Sequence, residues 1–454
     1  MALSLDDTKT VASLAQQIEL TGFVDQRLDS YYEGQQRLQH IGLAVPPELR
    51  RFETVVNWPR LCVDSLAERM SVKSLMLPGV DVADPSLQEA WDYNNLDSES
   101  NLAHLDAFVY GRAFVCVGYN EEDPEHPLIT VESPREVIAS FDPRTRRVKD
   151  ALRLYGYGDG DPNPTLATLY QPNSTTWLEK GTDGRWRDYE RDDHNVGRVP
   201  VYPLLNRRRT GRYAGVSEMA DVIPLTDAAA RTLTNLQIAG ETHSVPQKYV
   251  LGMSKGDFVN ADGSPIPAWE SYFSAIMANA NPSVKVGQFT ASDLKNFHDT
   301  VNHYASLVAG TSGLPMRYLG QVSTNPPSAD GIRADESRLV KRAELRMSNF
   351  GNVWGQVLAH YLRIRDGEWV DGNRITVEWH DAGTPTYGAK VDGVQKLTGG
   401  KPILSTQGGW DELGWSEARK QREMAYLQAE QTDPTLEAIA RDLTGGASAP
   451  ASGQ

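Results

Sequence analysis

The residues able to do chemistry in this chain are scattered, and their spacings build no catalytic centre. A phosphate-cradling loop needs G-x-x-x-x-G-K-[ST], so that backbone amides surround the phosphates while the lysine reaches them. The nearest fragments, GMSKGD from Gly252 and TGGKP from Thr398, have other spacings. GTSG, starting at Gly310, is one residue short of a nucleophile elbow. His298 and His303 stand five apart, about 140° around a helix, so they do not share a face as metal ligands would. The acidic pairs Glu121 and Glu122, Asp192 and Asp193, and Asp411 and Glu412 fall among turn residues, where no hydrolytic pair is recognisable by spacing. Cys62 and Cys116 are the only two cysteines and lie in apolar segments. They read as reduced core thiols, because a disulfide framework or a zinc site needs more ligands. The expectation is a non-enzymatic chain with no catalytic residue, cofactor or metal. A hydrolase with an α+β fold stands as the enzyme alternative.

Two polar features remain. One is NRRRTGRY (Asn206 to Tyr213), the only dense basic cluster. It reads as a nucleic-acid contact, a solvated turn, or ion pairs to an acidic neighbouring subunit. The other is GTSGLPMRYLGQVSTNPPS (Gly310 to Ser328), in which Gly310, Gly313, Pro315, Gly320, Pro326 and Pro327 forbid a continuous helix. The break separates two helical patterns. The second carries Leu339, Ala343, Met347, Phe350, Trp354, Val357, Tyr361 and Ile364, at spacings of 4, 4, 3, 4, 3, 4 and 3. One face therefore stays apolar over roughly 25 residues, about 38 Å. A protein that lines a channel and packs subunit on subunit has use for such a helix beside a large polar loop.

The elements around this unit alternate in texture. Helix is expected over residues 1 to about 40, Asn57 to Ser71, Pro85 to Tyr93 and Ser98 to Tyr110, the last stopping at Gly111. RAFVCVGY then reads as a buried strand, and Ile129 to Tyr202 as antiparallel β structure punctuated by DPRTR, GDGDPNP, QPNS and KGTDGR turns. Helix returns from about Gly215 to Gly240, kinked at Pro224. Residues 244–290 read as a small β and loop module with a short helix at Glu270 to Met277, followed by helix from Ser292 to about Ala309. A strand at Arg374 to Asp381 and short helices at Tyr387 to Leu397, Thr406 to Leu413 and Ser416 to Ala429 complete an α+β chain.

At 454 residues the chain has material for two to four domains, and no run of 18 apolar residues or signal peptide is apparent. Its 45 basic and 60 acidic side chains leave a net charge of −15. That balance argues against tight gripping of DNA, which asks for a basic face. It is compatible with letting DNA slide past.

In order and spacing, the chain resembles the portal proteins of tailed bacteriophages, in the SPP1 Gp6-like family found in phages of actinobacteria. The resemblance is carried by YYEGQQ (Tyr31 to Gln36), WDYNNLDSESNLAHLDAFVYGRAFVCVGY (Trp91 to Tyr119) and VESPREVIASFDP (Val131 to Pro143). GRVPVYPLLNRRRTGRYAGVSEMADVIPLTDAA (Gly197 to Ala229), SGLPMRYLG, NPPSADGIRADESRLVKRAE and VEWHDAGTPT (Val377 to Thr386) extend it over about residues 25–430.

The resemblance implies a division of the chain into a wing of helices and strands over 1–205, a stem helix over 206–243, a clip over 244–290 and a second stem helix over 291–312. It further implies a tunnel loop over 313–328, a long helix and strand returning to the wing over 329–385, a crown over 386–440 and a disordered tail over 441–454. It also implies a ring of about twelve copies at one capsid vertex, through which double-stranded DNA is packaged and ejected. The implied partners are the terminase large subunit, head–tail adaptor, major capsid and scaffold proteins, and no membrane. The implied place is the virion, with assembly in the host cytoplasm. Gln321, Ser323, Thr324, Asn325 and Ser328, with Arg317 and Arg333 flanking, become the DNA-facing residues. The two arginines read equally well as pairing with acidic neighbours. The apolar stripe becomes a core or subunit-interface surface. A head–tail adaptor or tail protein is the structural alternative.

Overall fold

The computed structural model describes residues 3–37, 54–80, 82–157, 163–243, 248–252, 285–288, 294–321, 328–383 and 387–431. Tertiary contacts divide the chain after Gly383, giving one unit of Met1–Gly383 and another of Thr384–Gln454.

The first unit opens with helix α1 (Leu5–Tyr32), started by Ser4, whose hydroxyl accepts from the Asp7 amide at 3.1 Å. Asp6 and Asp7 in its first turn face the positive end of the helix dipole. Helix α2 (Trp58–Ala67), strand β1 (Val72–Met76), and helices α3 (Pro85–Tyr93) and α4 (Leu96–Tyr110) follow. Asp84 starts α3 by accepting from the amides of Ser86 and Leu87 at 2.9 and 3.0 Å. Gly111, at φ 85°, ends α4 in the left-handed conformation that suits glycine.

Strands β2 (Arg112–Gly118) and β3 (Leu128–Glu132) come next. They are followed by β4 (Val137–Phe141), β5 (Val148–Tyr157), β6 (Pro164–Tyr170), β7 (Thr175–Lys180) and β8 (Trp186–Asp192), then β9 (Val201–Leu205). The five from β4 to β8 form an antiparallel meander in sequence order, and β2 sits between β3 and β9 in a second sheet. Helix α5 (Ile223–His243), strands β10 (Lys248–Leu251) and β11 (Lys285–Gln288), helix α6 (Lys295–Ser312), helix α7 (Ala329–Asp366) and strand β12 (Thr376–Trp379) complete the unit. β10 pairs with β11, and β12 returns to pair with β1.

Three apolar clusters hold these layers. Val11, Leu14 and Ile18 of α1 lie on the meander against Ile138, Leu152, Leu154, Ala167, Leu169 and Leu178. Phe114 and Cys116 of β2 meet Val137, Ala139 and Ala151 of the meander, with Val199 and Val201. The largest cluster gathers α2, α3, α4 and β2 around α7. In the second unit, α8 (Tyr387–Thr398), α9 (Thr406–Glu412) and α10 (Glu417–Gln431) are short helices; Ser405 starts α9 by accepting from the Gly408 amide at 3.1 Å.

Several expectations change. Gly215 to Val222 is not helix; α5 begins at Ile223, so Pro224 lies in its first turn and does not kink it. The physical reason is that the missing proline amide is one of the unpaired donors of a helix start anyway. β1 and β8 are strands that the apolar pattern does not announce. β8 is mostly exposed and rich in charge, so the meander's backbone pairing defines it and side-chain burial does not. The expected short helix at Glu270 to Met277 and the start at Ser292 lie outside the described residues.

Candidate functional site

The break that sequence singles out is built from its two shores. On the first, α6 ends at Gly313, at φ 73°, and Pro315 leads a short 3-10 turn, Met316–Leu319, ended by Gly320 at φ 80°. Gln321 then reaches back, its Nε2 donating to the Asn302 carbonyl of α6 at 3.0 Å. On the second shore, Ser328 starts α7 by accepting from the Gly331 amide at 3.2 Å. Residues 322–327, with Ser323, Thr324 and Asn325, lie outside the described residues.

One carboxylate ties the shores together. Glu336, two turns into α7, receives the Arg317 guanidinium and, at 3.1 Å, the Tyr318 hydroxyl. Its other oxygen lies 3.3 Å from Arg69, a buried side chain at the end of α2. Arg69 also donates to the Ala382 carbonyl at 2.5 Å and to the Tyr318 hydroxyl at 3.1 Å. Arg338 of α7 donates to the Gly310 carbonyl of α6 at 2.8 Å. Arg317 is therefore spoken for within the chain, which is the pairing arm of its two readings. Ser328 and Arg333 are exposed on the far shore.

A second cluster holds α7 further along. Glu218, 3% exposed, accepts from Arg346 at 2.6 and 3.2 Å and also pairs with Arg342. One buried and one part-buried acid thus fix one helix at two heights, each with a pair of arginines that neutralise it and satisfy its oxygens.

The apolar stripe is consumed inside the chain. Leu339, Ala343, Met347, Phe350, Trp354, Val357 and Tyr361 are between 0 and 6% exposed, so none is left to face a neighbouring copy. Of the two readings of the stripe, core or subunit interface, its burial within the chain is the core one. Residues 1–205 supply the covering surfaces: Trp354 meets Trp91 edge to face at 5.3 Å, and Phe350 stacks near Phe108 at 5.7 Å. The indole Nε1 of Trp354 donates to His104 Nε2 at 3.0 Å. Burial lowers the His104 pKa to about 3 and that of His360 also to about 3.

The other side of α7 is made for close approach. A methyl on Gly355 would lie 2.4 Å from the Gly372 carbonyl oxygen, and one on Gly351 would lie 3.2 Å from Trp379 Nε1. The pair GNVWG, at spacing four, is a legible signal that the sequence reading did not use. Glu336 is a charge on an amphipathic helix, which ordinarily faces solvent, while Arg69 and Glu218 stand in turns next to α2 and α5, so no spacing marks any of the three as enclosed.

A family model described as phage portal protein, SPP1 Gp6-like, matches residues 26–434. The chain belongs to that family. It is a portal protein of the bacteriophage type, a structural component of the virion. The portal protein of Mycobacterium phage D29 is 36% identical over 403 residues, covering 86% of this chain and 82% of that one. That of Mycobacterium phage L5 is 35% identical over 413 residues, covering 88% and 84%. Among solved structures, the neck of an empty gene transfer agent particle computed with C6 symmetry aligns with a TM-score of 0.48 at 14% identity, covering 83% of this chain and 95% of that one. The neck of the native particle computed with C12 symmetry gives 0.43 at 15%, covering 83% and 94%.

Proposed function

We propose that copies of this chain close into a ring of twelve at one vertex of the capsid, and that double-stranded DNA is packaged and ejected through its axial channel. α5 and α6 form the stem and the segment 313–328 lines the narrowest passage. The terminase large subunit docks during packaging and a head–tail adaptor afterwards, beside major capsid and scaffold proteins. The chain converts no substrate; the energy for packaging comes from its partner.

The observation that carries this reading is the Glu336 cluster. A loop that meets moving DNA needs rigid shores, and Arg69, Arg317, Tyr318 and Glu336 join both of them to the end of α2. The uncharged side chains of Gln321, Ser323, Thr324, Asn325 and Ser328 suit weak, sequence-independent contact. Gln321 and Ser328 make local contacts that hold the shores, so the middle of the segment is the part that touches DNA. Removing Gln321 to Asn325 should leave the ring intact and deplete packaged DNA in particles assembled with the variant. Normal DNA content in such particles would rule this segment out as the channel loop.

A further inference from the structure

The basic cluster at 206–213 does not stand alone in the fold. The loop after β9, carrying Arg208, Arg209 and Arg212, faces the β4–β5 turn, carrying Arg146 and Arg147, and the two border an open groove of about 800 Å³. Arg198 is a sixth arginine of the same wall, stacked over the Trp369 ring at 3.9 Å. Asp371 is the one acid among the described lining residues. Among the described residues, no ion pair joins any of the six arginines to an acid, unlike Arg69, Arg317, Arg342 and Arg346. The two lips are tied to each other: Tyr213 stacks on Phe141 at 5.4 Å and donates its hydroxyl to the Pro143 carbonyl at 3.3 Å. Guanidinium groups gathered on the walls of one groove repel one another, and a chain of net charge −15 has ample acid to prevent it. The arrangement suits an acidic guest.

The same chain presents one. The β2–β3 loop reads NEEDPEH, and Glu121, Glu122 and Glu125 are exposed. The loop is stiffened from beneath. The Asn120 side chain accepts from the amides of Glu122 and Asp123 at 3.1 and 3.3 Å and donates to the His126 carbonyl at 3.0 Å. His126 stacks on Tyr93 at 4.3 Å and meets Asp123 at 2.8 Å. This knob cannot reach the arginine loop of its own chain. It leaves β2 at Gly118, whereas the arginine loop leaves β9 at Leu205, which pairs with Arg112 at the other end of β2. Six residues of strand, roughly 20 Å, lie between them.

We propose that the acidic loop of one copy, Glu121 to Glu125, seats in the arginine groove of the next, forming part of the contact that closes the ring. This inference rests on the ring reading above. A closed ring needs two different, complementary patches on each copy; these two are preformed and opposite in charge, and the loop carrying Arg208, Arg209 and Arg212 stands at the far end of β2 from the acidic loop. The groove favours an extended acidic segment over a duplex, because its lining includes the buried Val199 and Val201 beside the exposed amides of Asn349 and Asn352. Arginine suits the role because its planar fork engages carboxylates two bonds at a time.

The test is a charge exchange on the full chain. A groove variant carries Arg208→Glu, Arg209→Glu and Arg212→Glu; a loop variant carries Glu121→Lys, Glu122→Lys and Glu125→Lys. Each alone sets like charge against like, and the protein concentration at which rings form, read by mass photometry, should rise roughly tenfold or more. Both sets in one chain, or the two variants mixed in equal amounts, should restore rings, the mixture as alternating copies. Restoration also shows that each variant folds. Rings from each single variant at the wild-type concentration, or failure of both rescues, would overturn the proposal while leaving the ring reading standing. A groove variant that forms normal rings but loses binding to a short DNA duplex at low salt would assign the groove to nucleic acid instead. A wild-type chain that stays monomeric would overturn the ring reading itself.

Discussion

At the scale of single residues, two clusters of charge hold α7 in place. Glu336 is 14% exposed at its side chain and is shared by Arg69 and Arg317. Glu336→Gln takes the anion from Arg69 and leaves Arg317 only Asp335, 3.8 Å away, a loss of about 2 kcal/mol at a site this enclosed. The expected outcome is hydrogen exchange over Met316–Leu319 that is roughly thirtyfold faster, with exchange in the β4–β8 meander unchanged. Histidine burial makes a different prediction. His104 and His360 have folded pKa values of about 3, far below the ordinary 6.5. The unfolded chain therefore takes up protons below pH 6.5 that the folded chain refuses, and stability falls with pH from that point toward about 3. Asp106, raised to about 6 by burial, works the other way, because the folded chain takes its proton first between 6 and 3.8. Burial raises Asp25, Glu132 and Asp150 in the same direction as Asp106, but between pH 7 and pH 5 the two histidines, displaced further, outweigh these carboxyls, so the thermal midpoint should drop over that range in buffers of matched ionic strength. A midpoint that rises over that range would place the histidines in solvent. These buried polar side chains were not legible in the sequence. Helical spacing ranks positions by face, and nothing in His104 or Glu336 marks a charge or imidazole turned inward.

At the scale of elements, the long helix, the RAFVCVGY strand and most of the meander could be read directly, because apolar period and turn chemistry agree there. The elements that escaped are those defined by a distant partner. β1, VKSLM, acquires its strand identity from β12 across the register Val72↔Trp379 to Met76↔Thr376. β8 sits at the meander's edge with charged side chains, where backbone pairing costs no apolar pattern. The glycines of α7 give the sharpest test of element packing. Gly355→Ala must push aside the Gly372 carbonyl, since its methyl would sit 2.4 Å away, and a cost of about 2 kcal/mol outweighs the gain of up to about 1 kcal/mol from helix propensity. Gly310→Ala in α6 meets open space, so the same change there should stabilise by about 0.5–1 kcal/mol. Opposite shifts in thermal midpoint are expected; equal shifts would dismiss the close approach at Gly355. Phe350→Asp or Trp354→Asp places a charge where the side chain is at most 1% exposed. Loss of soluble folded protein is expected, by a cost on the order of 4 kcal/mol. An intact fold in either variant would show that the helix face is not core.

At the scale of the whole molecule, burial of the stripe moves the search for subunit contacts. An apolar helix face would have given a greasy interface; what the first unit leaves outward is an arginine loop and an acidic knob at opposite ends of β2. Contacts of that kind are screened by salt, with a Debye length of about 10 Å at 0.1 M. Ring formation should therefore weaken as salt rises, whereas an apolar interface would strengthen or hold. The sequence could show that the chain has a long striped helix beside a polar break. Whether that stripe is spent within one copy or between copies depends on how α2, α3 and α4 fold onto it, which periodicity alone does not encode.

The measurement that bears most directly on the account is the mass and symmetry of the assembled protein, by native mass spectrometry with electron microscopy of the same sample. The account predicts a closed ring of about 600 kDa, twelve chains of 50.2 kDa, around an axial channel. A monomer, or a two-fold dimer with no channel, would contradict it.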